Sequence, residues 1–137
     1  NTDINDEERE RVLQLVHVAR NLKIDGITVA NTHPIEMPQL SVGRGGLSGR
    51  PLLEHTLRMV ADVRADLDPS VAVNACGGIF DSTDTLRALR AGANTVQLFT
   101  GLIYKGPSVA RSINHDLVRL MDLSGFGSLQ ELVHQES

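Results

Sequence analysis

The 137-residue sequence has no Trp, one Tyr and three Phe. So few aromatic rings leave little from which to build a stacking platform for single-stranded bases. There is one cysteine, Cys76, which excludes an internal disulfide framework and a Cys-rich metal site. No run approaches the roughly 20 apolar residues that cross a bilayer as a helix, and no signal peptide is visible. Positive charge is in deficit, with 13 Lys and Arg against 17 Asp and Glu and a net charge of −4. That balance argues against a nucleic-acid partner, which calls for a basic face. The chain opens on Asn1-Thr2-Asp3-Ile4 with no initiating Met, which predicts a mature, cleaved or truncated product. What remains is ordinary for a globular domain with a core: 41% hydrophobic and 22% charged residues.

The apolar spacing predicts a helix followed by three strand-helix units. Asn5 or Asp6, followed by Glu7 and Glu8, reads as a capped and negatively charged helix start. Val12, Leu15, Val16 and Ala19 then form its inward face. Asp25-Gly26 is a turn before a short strand at residues 27–30. Residues 34–50 hold two Pro and four Gly with little periodicity, and read as one long loop of the kind used for lids and binding. Pro51 opens the next helix, with Leu53, Leu57, Val60 and Ala61 buried. A strand at residues 71–75 precedes Gly77-Gly78, and Asp81 or Ser82 caps a helix carrying Leu86 and Leu89. A strand at residues 95–99 follows. Gly106-Pro107-Ser108 starts a long helix with Val109, Ile113, Leu117 and Leu120 inward, and Gly125-Phe126-Gly127 breaks it before a short terminal helix. The strands are short and apolar, as parallel strands covered on both faces are.

Two strand ends carry the chemistry. Gly77-Gly78 closes the run Val71-Ala72-Val73-Asn74-Ala75-Cys76, and Thr100-Gly101 closes Thr95-Val96-Gln97-Leu98-Phe99. Small residues there let the backbone approach a phosphate, as at the C-terminal face of a (β/α) barrel. Each candidate also has a plainer reading. Gly77-Gly78 can be a tight turn, Asn31 a strand-end cap and Ser48-Gly49 an ordinary turn. Cys76 reads as a small buried apolar residue, and His33 as a surface loop residue. His17, His55, His115 and His134 are scattered without metal-ligand spacing and read as structural or solvated; no metal is expected.

Six motifs then fall in register. They are Asp25-Gly26-Ile27-Thr28-Val29-Ala30-Asn31-Thr32, Gly45-Gly46-Leu47-Ser48-Gly49-Arg50-Pro51-Leu52, Cys76-Gly77-Gly78-Ile79, Arg90-Ala91-Gly92-Ala93, Val96-Gln97-Leu98-Phe99-Thr100 and Lys105-Gly106-Pro107. In this order and spacing the sequence resembles the C-terminal half of dihydroorotate dehydrogenase, closest to the membrane-associated, quinone-using class 2 enzymes. The resemblance implies an α/β fold, the C-terminal part of a TIM (β/α)₈ barrel, with residues 1–137 supplying its last β/α units. It implies FMN as cofactor, dihydroorotate and orotate as substrate and product, and ubiquinone or another quinone as electron acceptor. It places Asn31 and Thr32 at the substrate. Ser48 and Gly49 match flavin-contacting positions, Gly77, Gly78, Phe99 and Thr100 match the FMN phosphate cradle, and Ala30 and Leu98 fall beside them in the cofactor site. Phe99, Ile103 and Lys105-Gly106-Pro107 lie near the quinone entry. The location implied is the mitochondrial inner membrane or the bacterial cytoplasmic membrane.

The sequence departs from the family pattern at three points. His33 stands where Thr or Ser usually follows Asn-Thr, Ala30 where a hydroxyl residue often precedes it, and Phe99 where Tyr is common. The family's flavin-contacting Lys and its catalytic Ser base match nothing in this chain. No catalytic residue is therefore expected here, and the N-terminal half of the barrel is expected as a separate chain or a missing segment. Two rivals remain. One is another FMN barrel, such as an NAD- or fumarate-linked dihydroorotate dehydrogenase or a dihydropyrimidine dehydrogenase domain. The other is a non-catalytic α/β module that binds a phosphate ligand.

Overall fold

The computed structural model describes residues 6–134. Its core is a three-stranded parallel sheet built from β1 (Gly26–Val29), β4 (Ala72–Cys76) and β5 (Thr95–Gln97), in the order β1-β4-β5. Helix α1 (Asp6–Asn21) precedes β1, α2 (Leu53–Asp66) joins β1 to β4, and α3 (Ser82–Arg90) joins β4 to β5. Helices α4 (Thr100–Lys105), α5 (Val109–Ser124) and α6 (Leu129–His134) follow. The helix capping expected at Asn5 lies outside the described residues.

The two faces of the sheet differ because side chains alternate along a strand. Val29, Val73 and Ala75 point to one face and are buried against Leu53, Met59, Val60 and Val63 of α2. Thr28, Asn74, Thr95 and Gln97 point to the other, and there they bond to one another. The Asn74 amide donates to Thr28 Oγ1 at 3.3 Å and to Gln97 Oε1 at 3.0 Å, and the Thr95 hydroxyl donates to Asn74 Oδ1 at 2.9 Å. This polar ladder crosses all three strands. A smaller core of Val109, Ile113 and Leu117 seats α5, with Leu86 and Leu98 against it.

Four expectations change. Residues 34–50 are not one loop. They contain an antiparallel hairpin of β2 (His33–Glu36) and β3 (Arg44–Leu47), followed by a 3-10 turn at Arg50–Leu52. The hairpin escaped the pattern because Pro34 pairs with Gly46 in a two-stranded ribbon, where a missing N–H is tolerated. Leu15 is 66% exposed, not inward, although Val16 of the same expected face is buried and Val12 packs against the core. Ala61 is exposed, since α2 turns Thr56, Met59, Val60 and Val63 to the sheet. The strand expected to reach Phe99 stops at Gln97, because α4 begins at Thr100 and turns the chain away.

Candidate functional site

The three parallel strands end on one side, and a cavity of about 340 Å³ opens there. Ala30, Asn31 and Thr32 line it from the end of β1, Ser48 and Gly49 from the turn after β3, and Gly77 and Gly78 from the end of β4. Phe99, Thr100 and Gly101 close it after β5. The residues singled out from sequence thus converge from four separate segments, with one exception. Leu98 is absent from the wall: it is half-buried and packs against both core clusters.

Backbone pairing sets this convergence. The Ala30 amide donates to the Cys76 carbonyl at 3.0 Å, carrying the β1-β4 ladder one step past the strand. Cys76 in turn pairs with Gln97, so β1, β4 and β5 end level. At Gly77 and Gly78 φ is +128° and +74°, conformations that only glycine adopts freely. A Cβ on Gly77 would lie 2.7 Å from Thr56 Oγ1, and one on Gly78 would overlap the Leu53 backbone. Both missing side chains would point into α2. The cavity side of the turn is therefore bare backbone.

Asn31 is held from within its own turn. Its Oδ1 accepts from the Thr32 amide at 2.7 Å, which aims the Nδ2 donors elsewhere. The wall also includes Leu52, Cys76, Ile79, Phe80 and Gln97, which were not singled out as site residues. Cys76 and Gln97 had a visible signal, since they directly precede the glycine turn and Leu98. Leu52, Ile79 and Phe80 had none beyond apolarity. Cys76 is the one titratable residue on this wall, and partial burial pushes its thiol above the usual cysteine range. Among the described residues no group of three or more His, Cys, Asp and Glu is arranged to hold a metal.

A second opening of about 430 Å³ lies along the free edge of β1. It is lined by Val12, Leu15, Ile27, Val29 and Met59, with Thr28 and His55. Ala30, Asn31 and Thr32 line both openings and so form the ridge between them. His55 is buried, with its ring 5.7 Å from that of His33 in an edge-on arrangement.

Comparison with known proteins gives the family and the fold. The family model described as dihydroorotate dehydrogenase matches residues 1–121. The chain is 38% identical over 124 residues to "Dihydroorotate dehydrogenase (quinone)" of Rhodopseudomonas palustris, covering 87% of this chain and 34% of that protein. It is 37% identical over 132 residues to the protein of the same name in Halobacterium salinarum, covering 93% of this chain and 37% of that one. It also superposes on a crystal structure of DHODH in complex with ferulenol from Eimeria tenella, with a TM-score of 0.77 and 33% identity, over 98% of this chain and 36% of that one. The chain thus spans about a third of the length of these relatives. Its strand-helix units are those of part of a TIM barrel. With residues 1–121 matched and the strand-end cavity assembled from the same motifs, the chain belongs to the dihydroorotate dehydrogenase family.

Proposed function

We propose that this chain supplies the FMN-binding wall of a quinone-dependent dihydroorotate dehydrogenase. The observation that carries this reading is the convergence of Asn31, Ser48, Gly49, Gly77, Gly78 and Thr100 on one cavity. The cavity volume falls within the range of small-molecule sites. Its fit to a flavin phosphate rests on the bare backbone of the Gly77-Gly78 turn and on the hydroxyls of Ser48 and Thr100. Close approach needs the first, and phosphate oxygens accept from the second. FMN, when bound, supplies the hydride acceptor and the route by which electrons leave.

The chain's own residues bind and orient. Asn31 Nδ2 donates to a carbonyl or carboxylate oxygen of dihydroorotate, because its Oδ1 is already engaged by Thr32. Thr32 adds a hydroxyl beside it. Ala30 would line the cofactor pocket without a polar contact, and Leu98 packs into the core beneath it. Proton abstraction needs a base within hydrogen-bond reach. The wall offers no carboxylate, imidazole or amine, and partial burial raises its single thiol above the usual cysteine range, which makes it a poor base. The base therefore comes from the rest of the barrel, carried by a separate chain or another segment. The apolar opening along β1 is where a neighbouring strand of that barrel packs.

The quinone reading is supported by α4 and the residue before it. Phe99, Ile103 and Tyr104 are 75%, 70% and 79% exposed, an apolar surface next to the cavity. An apolar acceptor approaches there, past Lys105-Gly106-Pro107. Quinones partition into membranes, so the completed enzyme works at a membrane surface. No helix among the described residues is long and apolar enough to cross one.

The test is FMN titration of the chain, followed by flavin fluorescence, and then of the chain together with the remaining barrel. Saturable binding and dihydroorotate-dependent reduction of a quinone, absent with NAD or fumarate as acceptor, are expected from the completed protein. A completed, folded protein that retains no flavin overturns the reading in favour of a non-catalytic phosphate-binding module.

A further inference from the structure

We infer that Arg50 is a positioning residue that clamps two walls of the cavity at a fixed spacing. The ligand it serves is the FMN of the reading above, on which the inference rests. Arg50 follows Ser48-Gly49 and lies outside the main cavity wall. Its guanidinium reaches across to the β4-α3 turn. There Nη2 lies 3.3 Å from Asp81 Oδ2, Nη1 lies 3.4 Å from Asp84 Oδ2, and the guanidinium carbon lies 4.8 Å from the centre of the Phe80 ring.

Both carboxylates are committed to the turn they belong to. Asp81 Oδ1 accepts from the Asp84 amide at 3.0 Å and caps α3. Asp84 Oδ2 accepts from the Phe80 amide at 2.9 Å. Asp84 is 4% exposed while the Arg50 side chain is 55% exposed, so Arg50 reaches in from the surface to a buried carboxyl that the Phe80 amide already holds. The pairing adds little to stability by itself, as exposed ion pairs do, and its effect is on the spacing of the segments it joins. A planar guanidinium can meet two carboxylates and a ring face together, whereas an ammonium meets one partner as a point charge.

The placement gives the clamp its purpose. Phe80 lines the main cavity on one side and a side cavity of about 310 Å³ on the other. Ser48, Gly49 and Thr100 also line both. A Cβ on Gly49 would be 3.1 Å from Thr100 Cγ2, so the Ser48-Gly49 turn already sits close against the β5-α4 turn. Arg50 therefore ties the Ser48-Gly49 wall to the Gly77-Gly78 wall through Phe80, Asp81 and Asp84. The fork is spent on carboxylates, so it acts through the walls and not as a phosphate ligand.

The experiment measures FMN dissociation constants, melting temperatures without flavin, and backbone hydrogen exchange at residues 48–52 and 77–81. The proteins are the wild type, Arg50→Gln, Arg50→Lys, Asp84→Asn and the Arg50→Gln/Asp84→Asn double variant, each in the completed enzyme. Arg50→Gln should weaken FMN by about tenfold, with the flavin-free melting temperature little changed and exchange faster in both segments. Arg50→Lys should recover part of that loss. The double variant should be no worse than the weaker single variant within about twofold, because one clamp is cut once. An unchanged FMN constant in Arg50→Gln, additive losses, or a melting temperature that falls in proportion to the affinity would each overturn the clamp. A wild type that binds no FMN would overturn the flavin reading instead. Exchange would then decide the clamp alone: faster exchange in both segments supports it, and unchanged exchange overturns it.

Discussion

The Arg64 guanidinium donates to the Asn94 side-chain carbonyl at 3.0 Å, and the same Asn94 oxygen accepts from the Val73 amide at 2.8 Å. Arg64 also donates to the carbonyls of Val71 at 2.8 Å, Gly92 at 3.1 Å and Asp68 at 3.3 Å. One side chain of α2 thus binds the entries of β4 and β5, at the end of the sheet away from the cavity. In barrels that end serves stability while the opposite end serves chemistry.

Arg64→Ala should therefore destabilise the fold by about 2 to 3 kcal/mol, since several partly buried carbonyls lose their partner. FMN affinity of the protein that remains folded should stay within about twofold of wild type, because the change lies at the far end of the strands. Denaturant unfolding with and without flavin checks both. A large loss of affinity with unchanged stability would contradict the division between the two ends.

Gly78→Ala should lower stability by about 2 kcal/mol or more, from a positive φ and from overlap with the Leu53 backbone. The absent side chain points at α2, so the damage should appear in the flavin-free protein. Thermal melts of that protein decide the matter: an unchanged midpoint with lost flavin would mean the position matters only to the phosphate.

Asn31→Ala should leave FMN affinity within about threefold while lowering dihydroorotate turnover by at least about tenfold, the scale of one lost hydrogen bond to a charged group. Steady-state kinetics set beside flavin titration separate the two effects. Equal losses would remove Asn31 from the substrate.

Burial works against ionisation of Asp81, but the Asp84 amide and Arg50 outweigh it and hold its carboxyl below the usual range. A lowered folded value means that stabilisation is present above the unfolded value of about 4 and is lost as pH falls through the folded value. Stability should drop below about pH 4, and Asp81→Asn should flatten that part of the profile. Asp81→Ala should cost about 1 kcal/mol at neutral pH through the lost helix cap. Unfolding curves between about pH 2 and pH 7 report both.

Partial burial raises the Cys76 thiol above the usual cysteine range, so alkylation by iodoacetamide should be slower than that of an exposed cysteine at the same pH. Saturating FMN should slow it further, since Cys76 lines the cavity. Mass spectrometry of the alkylated protein measures the rates. Fast modification at pH 7 that flavin does not affect would place the thiol elsewhere.

Much of this was legible in the residue order. Short apolar runs separated by helical spacing define the β/α units, because covered parallel strands and amphipathic helices leave different periods. The glycine pairs, Asn31-Thr32 and Ser48-Gly49 mark strand ends, because close backbone approach and short polar side chains are local requirements. Other features depend on neighbours distant in the chain. The strands His33–Glu36 and Arg44–Leu47 have little strand propensity of their own, and only pairing across the turn makes them a hairpin. Helix α1 has apolar residues around much of its surface, so docking on α2 decides that Val16 is buried and Leu15 exposed. Arg50 reads as one more charge until the fold sets it against Asp81, Asp84 and Phe80, some 30 residues on. The sequence by itself determined the elements and the chemistry available at their ends, since both follow from local sterics and hydrogen-bonding capacity. Only the tertiary structure decided which ends meet, because strand register and helix packing are set by contacts between residues that the chain order keeps apart.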